Sequence, residues 1–272
     1  MKKYGGMKLV AIMIVLLTFQ LLSHFRVIAY RADFVYRLHT AAVPLPPEVF
    51  TFLAGEFKGM VANYLVLEAA SFIGSHEKAS TKDWEALARL LDQSNRLDPY
   101  FRQTYRLSQA TLPWEAGEVE KAIAILERSR RHLPWDWEPG FFIGFDYYYF
   151  LNDNLTASQK LMEASKVPGA PIPLATLASR LASRAGHTSA AIDFLVAIYE
   201  NTDDDETREH LMLRITALRG IDTLNTAVSL FQKQFDRLPA NLEELVEKKI
   251  LSDLPANPYE RPYSFNNGQV DF

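Results

Sequence analysis

The sequence predicts a mainly α fold: helix hairpins stacked in series, preceded by an apolar N-terminal helix and closed by a small helix plus β-hairpin. Three observations carry that expectation. Helix-stopping prolines recur at Pro99, Pro134 and Pro168, 35 and 34 residues apart, with a turn signal inside each unit. Residues 9–22, LVAIMIVLLTFQLL, hold no charge. After Phe235 the period stops, and Asn266-Asn267-Gly268 separates two short segments suited to strands.

The totals set outer bounds. A chain of 272 residues with 48% hydrophobic content suits one large domain or an extended repeat array. Net charge is −4 with no dense Lys/Arg tract, which argues against a nucleic-acid partner. Cysteine is absent, so disulfides, thiolate metal sites and thiol nucleophiles are excluded.

The N-terminal element comes first in the chain. Lys2, Lys3 and Lys8 precede the apolar run. Fourteen residues match a signal h-region and fall short of the roughly 20 that a full span requires. Ser23, His24 and Arg26 follow, then residues 27–30, so a tilted helix with snorkelling ends reaches across. No small-x-small cleavage site lies close behind. Residues 1–30 therefore read as an uncleaved signal anchor rather than a removed signal peptide, and the Lys-rich flank disfavours a buried core helix. The lysines point to a cytoplasmic tip, countered by Arg26, Arg31 and Arg37 beyond the run. The bulk of the chain is then expected outside the cytoplasm. Residues 31–46, with AAVPLPP, form a Pro-rich connector that cannot continue a helix.

Residues 47–236 carry the helical pattern. The first segment, 47–74, has apolar positions at Phe50, Leu53, Phe57, Val61, Tyr64, Leu65 and Ala69. A polar break, GSHEKASTKD, leads to a helix ending at Leu97-Asp98-Pro99. Gly117, Asn152-Asp153-Asn154 and Gly186 start tight turns in successive units. Each unit reads helix, turn, helix, stop. Counting from Pro171, Ala178, Ala190, Phe194 and Ala197 occupy positions eight, twenty, twenty-four and twenty-seven. From Trp137, Gly144, Tyr147 and Pro168 fall at eight, eleven and thirty-two. From Arg102, one extra turn residue brings Ala122, Leu126 and Pro134 into place, and a half-copy offers Leu91, Ser94 and Pro99, with Leu87 in a small-residue slot.

This pattern resembles the tetratricopeptide repeat, whose small slots let neighbouring helices approach closely. The resemblance covers about 83–235, with 47–74 as partner helix of the half-copy. It implies a right-handed α-solenoid closed by a degenerate helix pair, 206–220 and 221–235. The stretch WDWEPGFFIGFDYYYF, nine aromatic rings in sixteen residues, becomes the first helix of a repeat. Core packing explains most of those rings, with Ile143, Tyr147 and Phe150 inward and Gly144 at a close crossing. The resemblance further implies a concave groove lined by Glu138, Phe141, Phe145 and Tyr148. Its neighbours would be Gln103, Arg106 and Ala110 on one side, and Ile172, Ala175, Ser179 and Ala182 on the other. The candidate partner-binding residues are thus Arg106, Glu138, Phe141, Phe145, Tyr148 and Ser179. This apolar trough departs from the Lys- and Asn-lined clamp of chaperone-binding members. It suits an amphipathic helix or hydrophobic peptide of a protein partner, or the chain's own 47–74 helix.

Residues 237–272 form the last element. Asn241 can cap a short helix with Leu242, Leu245 and Val246 on one face. Tyr263-Ser264-Phe265 and Gln269-Val270-Asp271-Phe272 flank an Asn-Gly corner, a hairpin signal. The order LP, LEELV, LP, NPY and hairpin resembles the C-terminal part of major pseudopilins of type II secretion systems. The N-terminus departs from the pilin pattern: Gly6 is present, but Ala11 stands where a Glu is needed.

No catalytic, cofactor or metal constellation emerges. His24, His39, His76, His132, His187 and His210 lack ligand spacing, and no P-loop, dinucleotide fingerprint or nucleophile elbow occurs. Gly140 and Gly144 read as packing residues. Residues 203–206 read as an acidic helix N-terminus, and Asp253, Asn257, Asn267 and Asp271 as turn chemistry rather than a calcium site. The expected function is a non-enzymatic scaffold without cofactor, anchored in a bacterial inner membrane by one span. The alternatives are a structural subunit of a secretion or pilus apparatus and an envelope enzyme with a helical-repeat domain.

Overall fold

The computed structural model describes residues 3–36, 47–74 and 79–272. The chain divides into two compact units, Met1–Lys121 and Ala122–Phe272. Helix dominates, and a two-stranded antiparallel sheet is the sheet among the described residues. Of the connector expected over 31–46, residues 31–36 instead continue the N-terminal helix, because the prolines lie further on; residues 37–46, and with them His39, lie outside the described residues, as does His76.

In the first unit, helix α1 (Lys3–Tyr36) contains a stretch, Ile12–Tyr30, of mean hydropathy 1.9. Nineteen helical residues rise about 28 Å, close to a bilayer's hydrocarbon thickness. That stretch is long and apolar enough to cross a membrane, and it is wholly exposed. Thr18 turns its hydroxyl back onto the carbonyls of Ile14 and Val15, both at 2.9 Å, so this polar group is satisfied within the helix.

Helix α2 (Pro47–Ala54) passes through a single turn of tighter helix, Gly55–Phe57, into α3 (Lys58–Gly74). Gly55, at φ 51°, supplies the left-handed backbone conformation at that junction. Helix α3 packs along α4 (Thr81–Leu97), its Ala62, Leu65, Val66, Ala69 and Phe72 buried. Ser80 starts α4: the Asp83 carboxylate accepts the Ser80 backbone N–H at 2.7 Å, one half of a capping box. Leu87 and Ser94 are fully buried, and the Ser94 hydroxyl donates to the Ala62 carbonyl across the helix pair at 2.9 Å. Helix α5 (Arg102–Thr111) runs into a π-helical turn, Leu112–Ala116, closed by Gly117 at φ 68°. A π turn accommodates one residue more than an α turn, which gives a physical form to the extra residue the sequence spacing required here.

Helix α6 (Val119–His132) leads into the second unit, where α7 (Glu138–Tyr149) and α8 (Asn154–Ser165) form a hairpin. Its closeness depends on two glycines. A Cβ at Gly144 would lie 2.6 Å from Leu161 Cγ and 3.1 Å from the Ala157 carbonyl, and one at Gly140 would lie 2.9 Å from Ala164 Cβ. The turn uses Asn152 at φ 53°, and Asp153 caps α8 by accepting the Thr156 N–H at 2.9 Å. Ion pairs join α8 to α6: Lys160 to Glu127 at 2.7 Å and Arg130 to Glu163 at 3.0 Å. Helices α9 (Ile172–Arg184) and α10 (Thr188–Glu200) follow, joined through Gly186 at φ 85°. Helix α8 packs on α9, and α9 on α10.

The single helix expected over 47–74 is interrupted at Gly55–Phe57, and in the second unit two further details differ from the sequence expectation. On α10, Ala190 and Ala197, placed at close crossings by position counting, are exposed. Ala191 and Leu195 are fully buried instead, a shift of one position that sets a different stripe inward. The second difference is α11 (Asp205–Phe235): one continuous helix replaces the expected pair broken near Gly220. Gly220 suggested a break because glycine is costly inside a helix. In the structure it is a notch: Tyr263 fills the space a Cβ would need, within 2.6 Å of the ring's Cζ, and its hydroxyl donates to the Ala217 carbonyl at 3.1 Å.

The C-terminal segment forms as its residue pattern indicates. Asn241 Oδ1 accepts the Glu244 N–H at 3.0 Å at the start of α12 (Glu243–Glu247). Strands β1 (Ser264–Asn266) and β2 (Gln269–Asp271) pair with Phe265 opposite Val270. Asn267 and Gly268 take φ 50° and 83°, the positive pair a two-residue hairpin turn demands. Tyr263, Val270 and Phe272 enter the same core as Leu211, Ile215, Leu218 and Phe231 of α11. This segment is therefore docked on the helices.

Candidate partner-binding surface

Helix α7 positions the most unusual side chains in the chain. Pro139 in its first turn lacks an N–H where none is needed, and the Asp136 carboxylate accepts the Glu138 N–H at 3.2 Å. One side of the helix, with Gly140, Ile143 and Gly144, is buried in the hairpin. Along another, Trp137, Phe141, Phe145 and Tyr149 succeed one another at four-residue steps, which places them on one ridge. The rings touch in sequence: Trp137 meets Phe141 edge-on at 6.0 Å, Phe141 lies 6.4 Å from Phe145, and Phe145 stacks on Tyr149 at 5.4 Å. Phe150 packs edge-on against both Phe145 and Tyr149. The first three ridge rings and Phe150 are half-buried, and Tyr149 is exposed.

The predicted lining residues fall in different settings. Phe141 and Tyr148 are half-buried and pack against the cluster built by Leu161, Leu174, Ala178 and Leu181. Glu138 is half-buried at the start of α7, and Phe145 lies mid-ridge. Arg106 is half-buried on α5 of the first unit, where Gln103 and Ala110 are exposed. Ser179 needs correction. It is fully buried, with its hydroxyl donating to the Thr176 carbonyl at 2.8 Å, and offers no surface to a partner. Ala175 and Ala182 are buried in the cluster that contains Leu211 and Ile215, so α11 covers the face of α9 expected to be open. Position counting missed this because it treated α11 as two short helices.

A polar cluster holds the hairpin against α9. The Asp271 carboxylate accepts from Arg184 Nε at 3.0 Å and from Arg180 at 3.5 Å, while the Arg214 guanidinium lies 4.5 Å above the Phe272 ring. Burial pushes the Asp271 carboxyl up, but the Arg184 hydrogen bond and the two arginine charges outweigh it and hold the group below its usual value. Burial lowers the affinity of Arg214 for its proton. A cleft of about 400 Å³ borders Thr176, His210, Arg214 and Tyr259. Nothing local in the sequence joins Arg184 to Asp271, 87 positions away.

Acidic residues 203–206 have a structural assignment: Asp204 caps α11 by accepting the Thr207 N–H at 2.8 Å. Among the described residues, no three His, Cys, Asp or Glu side chains converge as a metal site. No protein-family model matches the chain, and no curated protein matches it.

Proposed function

We propose that this protein is a membrane-anchored scaffold of tetratricopeptide-like helix hairpins that holds a protein partner against the aromatic ridge of α7. The observation that carries the reading is that ridge. Rings from Trp137 to Tyr149 run along one helix face and retain accessible surface, although glycines let the opposite side pack closely. Aromatic ridges bind apolar helices or peptides through large, rigid contact area at low entropic cost. Neighbouring hairpins that pack in chain order support the solenoid arrangement, and the span-length α1 supports anchoring in a bacterial inner membrane. The C-terminal segment, seated in the Gly220 notch, acts as a cap of the helical array in this reading.

The test is recovery of bound proteins from detergent extracts with intact chain and with a Phe141/Phe145/Tyr148 triple-Ala variant. Phe141 and Tyr148 also support the core, so a Phe145→Ser variant with an unchanged melting curve is run beside it. The reading predicts a loss of at least about tenfold in recovery with both variants, from the removal of two or more kcal/mol of aromatic contact. Equal recovery by Phe145→Ser and intact chain removes the ridge as the binding surface.

A further inference from the structure

Among the described residues outside α1, the five most exposed large apolar side chains lie on α2, α3 and the turn between them. Phe52 is 83% exposed and Leu53 67%. Phe57, Met60, Tyr64 and Leu67 then follow at steps of three, four and three, each 57–66% exposed. Such steps place them on one line of a helix. The opposite side of α3 is the buried one facing α4, so α3 is apolar on two sides and only one is covered. A contiguous stripe of this kind signals a contact surface.

We infer that this stripe lies on the lipid surface beside the point where α1 leaves the membrane. The inference rests on α1 being a membrane span. Three features favour lipid as the occupant. Ten residues, 37–46, separate α1 from α2, and extended chain covers at most about 36 Å over that length, so the tether keeps the stripe close to the bilayer. The polar group on the stripe is a tyrosine whose hydroxyl donates to Glu68 at 2.7 Å on the flank, an arrangement suited to the headgroup boundary. The flanking charges are Glu56 and Glu68, with Asn63 and Ala70 at the corresponding positions. In a parallel second copy Glu56 would face Val61 and Glu68 would face Asn63, so that pairing would gain no ion pair along the stripe. With Glu48, Glu56 and Glu68 against Lys58, the surface is not basic, so adhesion is apolar and gains nothing from anionic lipid.

The absence of cysteine allows single reporters to be placed cleanly. Leu17→Cys in α1, Met60→Cys on the stripe and Glu85→Cys on the exposed side of α4 are each labelled with an environment-sensitive fluorophore. The full chain is reconstituted in phosphatidylcholine vesicles containing lipids with quenchers at shallow and deep positions. The inference predicts deep quenching at position 17, and shallow quenching at position 60 at least threefold stronger than at 85. The result at 60 should be no stronger with about 30% phosphatidylglycerol, on the order of physiological anionic content. Quenching at 17 with 60 equal to 85 overturns the inference and leaves the anchor standing. No quenching at 17 overturns the anchor, and the stripe's lipid contact with it. A disulfide-linked dimer of unlabelled Met60→Cys chains in the bilayer shows that the stripe meets a second copy, and equally overturns the inference.

Discussion

Gly220→Ala isolates the fit between α11 and the C-terminal segment, because two effects of known size act in opposite directions. Replacing glycine inside a helix by alanine stabilises by about 1 kcal/mol through propensity alone. At this position the new methyl would overlap Tyr263, lying 2.6 Å from Cζ and 3.1 Å from Cε2. Overpacking of that kind costs about 1–3 kcal/mol, since the ring is buried and tied to the Ala217 carbonyl. The overlap should win, for a net loss of up to about 2 kcal/mol. The sign reverses when the ring is removed. In a Tyr263→Ala background, itself about 3–5 kcal/mol less stable, Gly220→Ala should stabilise by about 1 kcal/mol. The coupling between the two sites is then about 1–3 kcal/mol, the size of the overlap itself. Urea denaturation of the four chains in detergent, followed by far-ultraviolet circular dichroism, measures it. If Gly220→Ala stabilises both backgrounds alike, the ring does not occupy the notch and the docking described above is wrong.

Two further outcomes follow from the same geometry. Gly144→Ala pushes a methyl toward Leu161 and the Ala157 carbonyl. The propensity gain is expected to be outweighed, with a net loss of up to about 2 kcal/mol that shows as a lower urea midpoint. Asp271→Asn breaks the contacts to Arg180 and Arg184, which are partly screened by solvent, and should cost about 1 kcal/mol at neutral pH. The folded-state carboxyl of Asp271 is depressed, so its contribution is present above the unfolded value of about 3.9 and is lost as pH falls through the lower folded value. Intact chain and variant should therefore converge in stability once pH falls below the depressed folded-state value of Asp271, a titration of urea midpoints that a pH-independent gap would contradict.

How much could be read from the residues depended on whether the information was local. Turns and caps are local, so Gly117, Gly186, Asn241 and Asn267-Gly268 marked their positions correctly. Gly140 and Gly144 were likewise legible, because glycines within an aromatic helix have few purposes other than close approach. Gly220 has the same chemistry but misled, since its partner Tyr263 lies 43 positions later in a different kind of element. That single misreading split α11 in two, and with it the burial of Ala175 and Ala182 beneath the long helix became invisible. The Asp271 clamp was hidden for a related reason: a carboxylate in a hairpin and arginines on α9 carry no mutual signature in the chain. On α10 the inward stripe differs from the counted one by a single residue, about 100° around a helix, enough to exchange exposed Ala190 for buried Ala191.

A photoreactive amino acid introduced at Phe145 in the full-length chain, in intact membranes, probes the ridge where it is expected to act. The same probe at Asp193, an exposed position on α10, provides the comparison. A discrete adduct with one other protein from position 145, absent from 193, is the predicted result. Identical adduct patterns from both positions, or none from 145, would contradict a scaffold that works through its aromatic ridge.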